Sequence, residues 1–145
     1  MTYYEIMERL QKLPDKDLLA RLIFGEARGE TTEGKVAVAN VVINRIKSRK
    51  PHYGASGGSL TGVALKAWQF SCFNKDDPNL SLLADPPNDL LFQQCFTIAG
   101  LALLGLLVDN TYGSTLYYNP QVAAPKWAET TVFKCRIGRH VFHME

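Results

Sequence analysis

With 145 residues, 46% hydrophobic and 21% charged, the chain suits one globular domain whose core needs neither metal nor disulfide staples. A formal net charge of +2 and a pI near 8.4 fall well short of the dense Lys/Arg footprint of a nucleic-acid binder. Cys72, Cys95 and Cys135 are odd in number and lack CxxC or metal spacing, so they argue against a disulfide framework and read as small buried hydrophobes.

Met1 to Arg9 carries acids where a signal peptide would have a basic head and an apolar run, so the expectation is synthesis in the cytoplasm without a leader. Asp15 is placed to cap a helix in which Leu18, Leu19, Leu22 and Ile23 recur at helical spacing, with Gly25 and Gly29 bracketing its end. A second helix is expected from Thr32 to Lys47, capped by Thr31 or Thr32, with Val36, Ala39, Val42, Ile43 and Ile46 as its apolar stripe. The basic run Arg45 to Lys50 reads as its solvated end. Pro51 to Thr61 is loop, followed by a short helix near Gly62 to Ala67 and a turn-rich loop from Asn74 to Asn79. A buried helix follows from about Asp89 to Leu107. Its apolar part, Phe96 to Val108, is too short to span a bilayer, which takes about 20 residues. The last third changes period: Thr115 to Tyr118, Val132 to Arg136 and His140 to His143 favour short strands, the last two joined at Ile137-Gly138-Arg139. The fold class is therefore α+β, mainly helical with a small β element, and residues 1–145 form a single expected domain.

Glu26 stands out among the carboxylates. It lies near the end of an apolar helix, between glycines that allow close approach by other backbone or a ligand. That environment suits a general acid, such as the proton donor to a glycosidic oxygen. The bland alternative is an ion pair with Arg28 or Lys35. Glu30 and Glu33 invite a two-carboxylate scheme, but an acid in the first turn of a helix, as Glu33 would be, is usually structural. Asp76 and Asp77 are alternative partners in a loop where aspartates usually make turns. Trp68, Phe70, Tyr117, Tyr118 and Trp127 are numerous aromatics for so short a chain. Gln69, Ser71 and Asn119 beside them carry groups suited to N-acetyl and hydroxyl recognition. His140 has no HxxxH-type partner in His52 or His143, so no metal site is expected.

In order, these blocks resemble the SleB/CwlJ-type cell wall hydrolases, the family of spore-cortex-lytic enzymes and related phage endolysins. The first is Leu19-Ala-Arg-Leu-Ile-Phe-Gly-Glu26-Ala-Arg-Gly-Glu30, followed by Glu33 to Arg45 and Gln69-Phe70-Ser71. Tyr117-Tyr118-Asn119-Pro120, Trp127-Ala128 and Ile137 to Phe142 complete the set. The resemblance implies a lysozyme-like fold related to lytic transglycosylases, with Glu26 as general acid and then base. It implies cleavage of the β-1,4 bond between N-acetylmuramic acid and N-acetylglucosamine, leaving an anhydromuramic product. Such a mechanism needs one protein carboxylate, because the substrate's own C6 hydroxyl attacks. Gln69, Phe70, Ser71, Tyr117, Tyr118, Asn119, Trp127 and His140 are the expected substrate-binding residues. Phe24 stands where the family often has Tyr, which removes a hydroxyl near the acid.

The expected partner is the peptidoglycan glycan strand, with no nucleic acid, no membrane insertion, no cofactor and a monomeric state. The expected setting is a phage endolysin without a separate wall-binding domain, released by a holin to act in the periplasm. Competing readings are a muramidase using water, a non-catalytic glycan-binding module, and an amidase cutting the stem peptide. The intact Gly25 to Glu30 segment speaks against the binding module, and no metal or nucleophile spacing supports the amidase.

Overall fold

A computed structural model describes all residues, Met1 to Glu145. Six α-helices precede a three-stranded antiparallel sheet. They are α1 (Tyr3–Gln11), α2 (Asp15–Ala27), α3 (Thr32–Ser48), α4 (Leu60–Ala64), α5 (Asn79–Ala84) and α6 (Leu90–Leu103). The strands are β1 (Leu116–Tyr118), β2 (Val132–Ile137) and β3 (His140–Met144), with β3 central. Single 3-10 turns occur at Pro51–Tyr53, Ser71–Phe73 and Lys126–Glu129.

Local chemistry accounts for the boundaries. Thr31 caps α3 by accepting the Gly34 amide at 3.2 Å, and Asp89 caps α6 by accepting the Phe92 amide at 2.9 Å. At α2, by contrast, Pro14 occupies the N-cap and Asp15 is the first helical residue, where its charge complements the helix dipole. Gly25 does not end α2. It lies within the helix, where an added Cβ would sit 2.8 Å from the Cys72 Cβ and from the Leu83 Cδ1. Its role is therefore close packing of the Ser71–Phe73 turn and α5 against the helix that carries Glu26.

The core is built around α2, buried along Leu18, Leu19, Leu22 and Ile23. Helix α6 is shorter and more exposed than its composition suggests. Gly105 takes a left-handed φ of 71°, and the Gly105 and Leu106 amides fold back onto Ala102 and Leu101, which closes the helix four residues before Leu107. Only one face is buried, through Cys95, Ile98, Ala99 and Ala102, because small side chains let α6 lie close to α2; Leu90 and Leu104 face outward. Cys135 is half-buried, while Cys72 and Cys95 are buried. No helix is long and apolar enough to cross a membrane.

Two helices were not legible as such. Helix α1 buries only Ile6 and Leu10, and α5 begins at Asn79, inside what reads as a turn. The sheet docks on α3 through a second small core of Ala37, Val41 and Phe142, with Tyr117, Cys135 and Ile137 packed against it. The β3 register pairs Phe142 with Tyr117 on one side and Cys135 on the other. A bulge between Phe133 and Cys135 offsets β2. This packing carries Tyr117 and His140 to the C-terminal end of α2.

Candidate active site

Glu26 lies on the last turn of α2 and opens into a cleft of about 410 Å³. The Tyr117 hydroxyl donates to its Oε1 at 2.6 Å. The Cys72 amide and the Ser71 hydroxyl donate to Oε2 at 3.3 and 3.5 Å. Burial and the adjacent Glu26 carboxylate push the Tyr117 hydroxyl well above its ordinary pKa, so the phenol stays protonated and serves as a donor. The ion-pair alternative for Glu26 is not realised. Arg28 donates to Asn79 Oδ1 at 2.7 Å and to the Phe24 carbonyl at 3.2 Å, while Lys35 donates to the Glu30 carbonyl at 2.9 Å. Phe24 is buried against the Phe92 ring, so residue 24 takes no part in the hydrogen bonds to Glu26.

The cleft gathers Glu26, Gln69, Ser71, Tyr117, Tyr118, Asn119 and His140, all expected from the sequence. Trp127 lies instead on an adjoining cleft of about 470 Å³, with Thr130, Thr131, His52 and Glu145. The two clefts share Arg45, Trp68, Gln69 and Tyr117, and together form a groove that passes Glu26. Phe70 departs from its expected place. It is only 1% exposed and lies in the core under the Arg45 guanidinium, 4.7 Å from ring centre to cation. In the turn Gln69-Phe70-Ser71 the polar neighbours face the cleft and the ring faces inward.

Arg45 is the residue that sequence reasoning missed. It is not at a solvated helix end; it is 5% exposed, stacked between Tyr53 and Phe70, and donates to the Thr115 carbonyl at 2.6 Å. A weaker bond at 3.4 Å holds Gln69 Oε1. Burial lowers the pKa of Arg45, which the nearby Tyr117, Tyr53 and Glu26 oppose. The signal was present in the spacing, since Arg45 follows Val38, Val41 and Val42 on the buried face of α3.

The other carboxylates are committed elsewhere. Arg139 grips Glu30, with Nε donating to Oε2 at 2.7 Å and the backbone amide donating to Oε1 at 3.2 Å. Burial pushes the Glu30 pKa up, but these bonds and the charge of His140 hold it below its ordinary value. His140 packs edge-on against Tyr117, and its buried Nδ1 has no hydrogen-bond partner, lying 3.7 Å from Glu30 Oε1. Burial lowers the His140 pKa against the pull of Glu30 and Glu26. Glu33 is exposed in the first turn of α3. Asp77 accepts from the Asn79 amide at 2.8 Å in a turn, and Asp76 and Asp77 line a separate groove.

A half-buried carboxyl on the last turn of a helix, held by neutral donors and open to a cleft, is an arrangement suited to general acid–base chemistry. The chain belongs to the cell wall hydrolase family, whose match covers residues 29–143 and begins at Gly29, just past Glu26. It is 32% identical over 130 residues to the spore cortex-lytic enzymes of Halalkalibacterium halodurans and Bacillus subtilis (strain 168). These alignments cover 88% of the chain but only 34% and 37% of those proteins, so the chain spans little more than a third of their length. Its fold matches the catalytic domain of the germination-specific lytic transglycosylase SleB from Bacillus anthracis, with TM-score 0.68 and 31% identity over 89% of this chain and 93% of that one. The Bacillus cereus SleB catalytic domain matches with TM-score 0.69 and 28% identity, covering 89% of this chain and 88% of that one. The α+β, lysozyme-like expectation is therefore met.

Proposed function

We propose that the chain is a peptidoglycan lytic transglycosylase whose catalytic group is Glu26. The observation that carries this reading is that Glu26 is the sole acidic side chain lining its cleft. A hydrolase working through an acid and a base would place a second carboxylate across the scissile bond, whereas intramolecular transglycosylation needs one. Tyr117 pins Oε1, and the longer contacts of Oε2 leave that oxygen free to meet the substrate. Glu26 donates its proton to the glycosidic oxygen as the bond from muramic acid C1 breaks. It then takes the proton of the C6 hydroxyl as that oxygen bonds C1, which closes a 1,6-anhydro ring and restores the acid. Gln69, Ser71, Asn119 and Tyr118 supply polar contacts along the strand, and Trp127 extends the groove.

The proposed setting is host lysis by an endolysin. Purified sacculi digested with the wild type should release muropeptides with anhydromuramic ends, read by mass spectrometry. Glu26→Gln should fold normally and release almost none. Reducing muramic ends would replace this reading with hydrolysis, and free stem peptides would replace it with an amidase. In cells that express the chain, lysis should wait for a holin or chloroform.

A further inference from the structure

Trp68 is the feature that neither the fold nor the proposed chemistry explains. It is 82% exposed, although an indole is among the most favourable side chains to bury. Its backbone also takes the left-handed conformation, with φ of 67°, which a bulky residue adopts only under constraint. The constraint comes from its neighbours. The Gln69 amide turns back to the Lys66 carbonyl at 3.2 Å, and Phe70 is anchored in the core beneath Arg45. A glycine here would relieve the strain and remove exposed apolar surface, so folding alone does not account for a tryptophan.

Its place in the groove supplies a reason. Arg45, Trp68, Gln69 and Tyr117 line both clefts and so form the waist between them. Arg45 is buried and the other two are half-buried, so Trp68 alone of the four stands free. The waist adjoins the catalytic group, because Tyr117 is bonded to Glu26. We propose that Trp68 is a sugar-stacking platform at this waist, presenting a flat apolar face to the C–H face of a pyranose next to the bond to be cut. It is a substrate-positioning residue: it holds the strand in register with Glu26 while the polar groups of the waist take the hydroxyls. This rests on the glycan-strand reading above but not on the reaction assigned to Glu26.

The test uses the inert Glu26→Gln protein titrated with peptide-free glycan oligosaccharides from peptidoglycan. Adding Trp68→Ala should weaken binding about tenfold, the scale of a stacked aromatic anchor, while Trp68→Phe should recover most of it. Trp68→Gly should weaken binding equally yet raise Tm, since it relieves the backbone strain. Unchanged affinity in the Ala and Gly variants would overturn the proposal, as would a failure of Glu26→Gln to bind glycan at all. Trp68-dependent binding alongside an active-site-intact protein that releases no muropeptides would retain the platform and remove the lytic assignment.

Discussion

The two glutamates of the Gly25 to Glu30 segment do different work, and Glu30→Gln separates them. Glu30 is 5% exposed at its side chain and is held by Arg139 through contacts of 2.6 and 2.7 Å. Breaking a buried ion pair can cost about 3–5 kcal/mol, but Arg139 is 59% exposed and its freed guanidinium would find water. The loss should therefore be about 2 kcal/mol, the scale of charge-assisted hydrogen bonds. For a chain of this size that is a fall in Tm of roughly 4–8 °C at neutral pH. Its pH dependence is more diagnostic. The depressed Glu30 pKa means that its stabilisation is present above the ordinary value of 4.5 and is lost as pH falls through the lower folded value. His140 is also depressed, from 6.5, so the unfolded chain takes up that proton first and stability already declines as pH drops below 6.5. Glu30 moderates this decline by favouring the imidazolium, and the variant lacks that help. The Tm gap between wild type and variant should widen as pH falls below 6.5 through the depressed His140 value, then narrow as pH falls below 4.5 through the depressed Glu30 value. Thermal unfolding by circular dichroism at pH 7.5, 5.5 and 3 measures it, and a gap that is absent or flat with pH refutes the reasoning. Activity at pH 7 should fall far less than in Glu26→Gln, because Glu30 does not line the cleft.

Two further substitutions probe how Glu26 is held. Tyr117→Phe removes the 2.6 Å bond to Oε1. At about 1.5–3 kcal/mol for a bond to a charged group, kcat for muropeptide release should fall about ten- to a hundredfold with little change in KM; a kcat within a factor of two of wild type would dismiss a role for the hydroxyl. Gly25→Ala drives a methyl to 2.8 Å from Cys72 and Leu83. Overpacking of this kind costs about 1–3 kcal/mol and should displace the Cys72 amide from Oε2. Tm and activity should both fall, and an unchanged Tm would mean that the helix and turn are not in the contact described.

The parts of the fold legible in the sequence are those with strong periodicity and a local cap. Helix α3 shows an apolar stripe and Thr31, and the hairpin of β2 and β3 shows alternation around Gly138, which takes a φ of 59°. What stayed hidden depends on partners distant in the chain. Helix α1 buries Ile6 and Leu10 only because the rest of the helical core receives them. The exposed face of α6 could not be read from its largely apolar sequence, because composition does not say which side meets α2. In the site, the polar residues beside aromatics were readable, but the inward turn of Phe70 was not. It is set by Arg45, which its place in a basic run marked as solvated and which tertiary packing places under the cleft floor.

The arrangement of charges explains why one carboxylate remains available for chemistry. Glu30 is committed to Arg139, and Glu145, at the far end of the groove, to Lys50 and His52 at 3.0 and 2.9 Å. Asp109 is held by the Thr111 and Gly113 amides and by Asn44. A carboxylate paired with a cation or several amides is fixed in its charged state, which suits structure and not proton transfer. Glu26 alone among these meets only a phenol, an aliphatic hydroxyl and one distant amide. These neutral partners orient the group without pairing it to a cation, which suits the acid-then-base role proposed for it. The single-carboxylate site is thus a product of the whole fold: the sheet brings Tyr117 in, Arg139 draws Glu30 away, and what is left facing the groove is Glu26.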